Sequence, residues 1–141
     1  MYIHSDMGIA DDRVGDRMKT SYCYNTMRKM GIRLAAGSDL PIESPKVMEA
    51  IQVNVTRKNL SGWPEGGWYP EEAFDVLDAV KLHTVNGAYV SKDENKYGSI
   101  EVGKQANFVL LSGDVFEVEK DKIKDIENLE TYIDGESVYK K

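Results

Sequence analysis

The chain has 141 residues, 41% hydrophobic and 30% charged, with a formal net charge of −6. That is enough for one ordinary domain, and the acidic balance gives no support to nucleic acid or an anionic membrane as a partner. No apolar run approaches the ~20 residues that span a bilayer, and Cys23, the only cysteine, excludes an intrachain disulfide and a cysteine-rich zinc site.

"MYIHSDMGIADDRVGDR" opens the chain without a clear helix or strand, and without the basic end and apolar stretch of a secretory signal. The expected compartment is a reducing cytoplasm. Such an opening reads like the middle of a domain, entered late. Residues 16–30 are predicted helical, with Met18, Tyr22, Met27 and Met30 on one apolar face and Gly31 as a stop signal. "IRLAAGSD" predicts a short strand over residues 32–36, buried on both faces as in parallel sheets. Ser44 and Pro45 are placed as N-cap and first helical position of a second helix. Its apolar face is Val47, Met48, Ile51 and Val55, and it ends near Arg57. Helix, strand, helix is the rhythm of parallel α/β units.

"NLSGWPEGGWYP", residues 59–70, is a glycine- and proline-rich loop. Its Trp63 and Trp68 either line a pocket or cover a core edge. Pro70, Glu71 and Glu72 then start a helical segment that buries Ala73, Phe74, Leu77 and Val80, with a break at Asp75, which can cap a fresh turn. From Tyr97 the pattern changes to strands and turns. Residues 107–111 read as a strand, and residues 117–128 as a charge-rich, solvated connection. "ETYIDGESVYK" is a hairpin turned at Asp134-Gly135 in type I′ geometry. This part should form a small sheet of its own. It is expected to lean on the helix near residues 71–83, because an isolated hairpin is marginal in water.

"AAGSDLPIESP", residues 35–45, poses the functional question: a strand-like segment ends in a bare aspartate. On the pattern alone, Asp39 caps a turn with Pro41. The ordered set "GSDLPIESP", "TVNGAYVS", "GSIEVGKQANFVLL" and "YIDGESVY" adds a second reading. In this order and spacing it resembles the C-terminal part of a metal-dependent amidohydrolase of family 3, the branch of YtcJ-like proteins, exoenzyme regulatory proteins and N-substituted formamide deformylases.

That resemblance implies an α/β fold: a (β/α)8 barrel joined to a small β-sandwich built from both chain ends, with the site at the C-terminal ends of the barrel strands. Residues 1–96 would be the last βα units with following helices, and residues 97–141 strands of the composite sandwich. Asp39 matches the aspartate after the last barrel strand. There it would ligate a divalent metal, zinc by the family pattern, and take a proton from metal-bound water. The small residues before it would let the backbone pack closely. Tyr2 and His4, near the segment matching the seventh strand, and Trp63 and Trp68 are the candidate substrate contacts; the family histidine of that segment falls at Tyr2. His83 is placed as a packing or surface residue.

The family's His-x-His pair and its later lysine or acid and histidines have no counterpart in this chain, whose histidines are His4 and His83. Asn107 stands where the family carries an acid, at a structural position. A barrel takes roughly 250 residues, and the stretch before Pro70 holds about two βα units of ~30 residues each. The resemblance thus implies a fragment of an enzyme that hydrolyses a non-peptide C–N bond of a small amide-type substrate, inactive alone. It would be a homo-oligomer through the apolar faces of residues 18–30 and 47–55, since open edges pair. The alternative is a non-catalytic remnant serving as a binding, regulatory or oligomerisation module.

Overall fold

The computed structural model describes residue 3 and residues 5–141. The chain runs α1 (Met7–Val14), a 3-10 turn (Gly15–Thr20), α2 (Tyr24–Lys29), α3 (Val47–Thr56), a 3-10 turn (Pro70–Glu72), α4 (Val76–Leu82), α5 (Val85–Val90), β1 (Phe108–Leu111), a 3-10 turn (Lys120–Asp125), β2 (Asn128–Ile133) and β3 (Glu136–Lys140). No described helix is long and apolar enough to cross a membrane.

Helix α3 organises the core. Its residues 50–55 are all buried, so it is covered on every side rather than along one stripe. Ile51 and Val55 join Phe74, Ala79, Leu82, Val115, Ile123 and Ile126 in one cluster. Val53 joins Ile3, Met7, Ala10, Met18 and Trp68 in a second. Two polar residues of the helix are buried with hydrogen bonds, as buried polar groups require. Gln52 Oε1 accepts the Lys124 N–H at 2.9 Å, and Asn54 Nδ2 donates to the Ala50 carbonyl at 2.9 Å. The helix closes at Arg57 in the left-handed region, φ 55°, as expected near that residue.

Several expectations need correction. The helix over residues 16–30 is two pieces, separated where Tyr22 takes φ 52°. Met18 is buried at 1% exposure while Met30 stands 75% exposed, so the expected single face does not form. Gly31 does stop α2, with φ 87° and its N–H on the Arg28 carbonyl at 2.9 Å. Residues 32–36 form no strand among the described residues, because no neighbouring strand offers a ladder. Ile32 is 44% exposed, and the Ala36 N–H bonds instead to the Leu82 carbonyl at 3.0 Å. The second helix begins two residues late: its N-cap is Lys46, whose N–H is accepted by Ser44 Oγ at 3.3 Å. Residues 117–128 are more than a solvated connection. Ile123 (0% exposed) and Ile126 (8%) enter the core, and the 3-10 turn Lys120–Asp125 packs on α3. Of the faces expected to self-associate, Met18 (1% exposed), Ile51 (2%) and Val55 (3%) are used inside the chain, while Met30 (75%) and Val47 (42%) remain exposed.

The segment after Pro70 buries Phe74 as expected, but Leu77 is 51% exposed, and Ala79 and Leu82 form the buried side of α4 instead. The expected Asp75 cap, small sheet and hairpin turn are present. Asp75 caps α4, its carboxylate accepting the Asp78 N–H at 2.7 Å. The three-stranded antiparallel sheet has order β1-β2-β3, and Phe108 stacks on its register partner Tyr132 with centroids 4.5 Å apart. Asp134 (φ 52°) and Gly135 (φ 81°) are both left-handed, as a type I′ turn demands. The sheet leans on the helices less than expected: Leu111 is its residue packed against the α3–α4 cluster, and β3 is exposed along its length.

Candidate functional site

Asp39 sits in the turn that follows residues 32–36, at φ 51° and exposed. Its backbone carbonyl accepts the Ile42 N–H at 2.9 Å. The turn is thus closed by the main chain. Among the described residues the Asp39 carboxylate makes no hydrogen bond, so it does not cap the turn with its side chain there. Aspartate is one of the few residues that tolerates this backbone region. Gly37 is not demanded by packing: a Cβ there would meet nothing within 4 Å.

The turn is anchored at its far end. Glu43 is 6% exposed and its Oε1 accepts a hydrogen bond from Ser5 Oγ, 38 residues earlier. Beside Ser5, Asp6 accepts the Tyr22 hydroxyl at 3.0 Å, and Ile3 and Met7 are fully covered. Neither Glu43 nor Ser5 stands out in the sequence, except that Glu43 lies four residues after Asp39.

The candidate substrate contacts separate. Tyr2 and His4 lie outside the described residues. Trp63 is 50% exposed in its loop, its N–H on Asn59 Oδ1 at 3.0 Å. Trp68 is 4% exposed, with Nε1 donating to Asp11 Oδ2 at 2.9 Å and its ring edge-on to Tyr22 and Tyr69. No hydrogen bond or ring contact among the described residues joins either tryptophan to the Asp39 turn. His83 packs with its Nε2 buried and without a partner, and burial pushes its pKa down to about 4.

Two further polar centres were not legible beforehand. Arg57 is 1% exposed, donates Nε–H to the Trp68 carbonyl at 2.8 Å, and lies 5.1 Å from the Trp68 ring. Glu72 accepts the Thr26 N–H at 2.9 Å and the Thr26 hydroxyl. Burial opposes its ionisation, but these hydrogen bonds hold its pKa below the usual carboxylate value.

A cleft of about 370 Å3 opens beside residues 31–34, lined by Arg28, Arg33, Asp78, Lys81 and Asn86 among others; Asp39 is not in its wall. Among the described residues no three of His, Cys, Asp and Glu converge on a point that could hold an ion. A catalytic zinc takes three protein ligands, so the described donor set, Asp39 by itself, does not fit a complete metal centre.

The sequence profile of the amidohydrolase family matches residues 1–139. The chain is 36% identical over 141 residues to the YtcJ protein of Bacillus subtilis strain 168, covering 99% of this chain and 27% of that protein. It is 31% identical over 110 residues to the N-substituted formamide deformylase of Arthrobacter pascens, covering 78% and 20%. The crystal structure of an amidohydrolase from Thermotoga maritima MSB8 matches with a TM-score of 0.57 and 26% identity, over 85% of this chain and 26% of that one. The chain therefore spans about a quarter of the length of the proteins it matches. Its mixed helices and strands are an α/β fold, and it belongs to the amidohydrolase family.

Proposed function

We propose that this chain is the C-terminal portion of a (β/α)8 hydrolase that cleaves a non-peptide C–N bond of a small amide-type substrate, with Asp39 as its catalytic residue. Residues 1–96 supply the last βα units and following helices, and residues 97–141 the strands of the attached sandwich. The observation that carries this reading is the Asp39 turn. A carboxylate that makes no hydrogen bond among the described residues stands exposed in the turn after residues 32–36, in a chain that matches the family over residues 1–139. As general base, Asp39 takes the proton of the water that attacks the substrate carbonyl. Tyr2, His4 and Trp63 are the residues proposed to face the substrate. A complete centre of this kind takes a divalent metal, zinc by the family resemblance. The described residues offer it Asp39 alone, so the chain by itself is expected to be inactive.

Self-association belongs to the same reading, through apolar side chains left exposed such as Met30, Ile32, Leu40 and Ile42. A strictly monomeric species by light scattering would remove that part.

The test is an amide panel with metal analysis, run on the purified chain and on the product of its coding sequence extended upstream in frame. We expect turnover and bound metal for the extended product only, with Asp39→Asn lowering kcat by at least ~100-fold. Turnover by the chain alone that Asp39→Asn abolishes would refute its inactivity. Undiminished turnover of the extended Asp39→Asn product would refute the role of Asp39.

A further inference from the structure

We infer that Glu43 is a positioning residue for Asp39: its buried carboxylate pins the turn bearing Asp39 to the segment around Ser5. The inference rests on the proposed role of Asp39.

The turn has little else of its own to hold it. Asp39, Leu40, Pro41 and Ile42 are all exposed, Leu40 at 65% and Ile42 at 68%, so its apolar side chains are not its anchor. Inside the turn there is one main-chain bond, from the Ile42 N–H to the Asp39 carbonyl. Glu43 is the residue that turns inward, to 6% exposure. A carboxylate leaves water at a high free-energy cost unless it is hydrogen-bonded, and one bond it accepts comes from Ser5 Oγ. Ser5 is itself exposed, but the chain on either side of it is packed. It lies between Ile3 (0% exposed) and Met7 (1%), with the Asp6 N–H on the Ile3 carbonyl at 3.2 Å. The contact therefore joins a turn with little internal structure to an exposed serine whose neighbours Ile3 and Met7 are buried. A hydrogen bond to a carboxylate oxygen is directional. It fixes where the turn lies, which apolar burial without directional preference would not. It also sets the distance between Asp39 and the chain around Ser5.

The experiment measures backbone 15N relaxation and amide exchange on the full chain carrying Glu43→Ala, Ser5→Ala or Glu43→Gln. Glutamine keeps an oxygen acceptor for the Ser5 hydroxyl. In both alanine variants the order parameters of the 39–42 amides that are observable should fall from about 0.85 to below about 0.6. Exchange at Ile42 should quicken about tenfold, with α3 and α4 unchanged, and Glu43→Gln should restore both. The reading is overturned if the turn is as rigid in both alanine variants as in the parent, or if α3 loosens in parallel. It is also overturned if Glu43→Gln loosens the turn as much as Glu43→Ala. Should Glu43→Ala fail to fold, Ser5→Ala decides. These readouts need no turnover, so they fail separately from the catalytic assignment of Asp39.

Discussion

Arg57 and Trp68 bond each other twice. The Arg57 Nε–H donates to the Trp68 carbonyl at 2.8 Å, and the Trp68 N–H donates to the Arg57 carbonyl at 2.6 Å. The pair clamps the glycine-rich loop onto the C-terminus of α3. Gly67 passes so close that a Cβ there would lie 2.7 Å from the Thr56 carbonyl oxygen. Arg57→Lys should cost about 1.5–3 kcal/mol, because a lysine ammonium does not reproduce the planar fork of donors. Urea denaturation measures it, and a loss below about 0.5 kcal/mol would contradict the clamp.

His83 should make stability depend on pH. Burial lowers its pKa from 6.5 to about 4 in the folded chain. Between these values the unfolded chain binds the proton and the folded chain does not, so stability rises with pH. The contribution is fully present above pH 6.5 and is lost as pH falls toward 4. At 1.36 kcal/mol per pH unit it amounts to at most about 3 kcal/mol. Denaturation midpoints at pH 7 and pH 5 should differ less in His83→Phe than in the parent.

Glu72 works in the same direction over a lower window. Its folded pKa is held below 4.5, so its contribution is present above 4.5 and fades as pH falls through the folded value. Glu72→Gln should flatten the acid limb of the stability curve below pH 4.5. An unchanged limb would mean that the Thr26 contacts contribute nothing.

Ile123 separates a core segment from a solvated connection. It is fully buried against α3, so Ile123→Ala should cost about 2–5 kcal/mol. A loss near that of a surface substitution, within about 0.5 kcal/mol, would restore the solvated reading.

Asp39 should be dispensable for stability. It is exposed and its carboxylate makes no hydrogen bond among the described residues, so Asp39→Asn should change the unfolding free energy by less than about 0.5 kcal/mol. Asp39→Ala should cost more, about 1 kcal/mol, since alanine tolerates φ 51° poorly. A large loss in Asp39→Asn would point to a structural cap.

What the sequence determined by itself was local or carried by ordered motifs. The Asp134-Gly135 turn, the Gly31 stop and the Asp75 cap are legible because each answers a backbone demand within four residues. The family was legible because its motifs keep their order along the chain. What only the tertiary structure decided depends on residues far apart. Residues 32–36 have strand-like composition, yet a strand needs a partner, and among the described residues none lies beside them. Met18 and Met30 share a predicted face but not a fate, because Tyr22 redirects the backbone between them. Residues 117–128 look solvated by their charges, yet α3 has an uncovered side that Ile123 and Ile126 fill. Arg57, Glu72 and Glu43 are ordinary charged residues in the string of letters. Their burial follows from partners 11, 46 and 38 positions away, and periodicity carries no information about contacts at those separations.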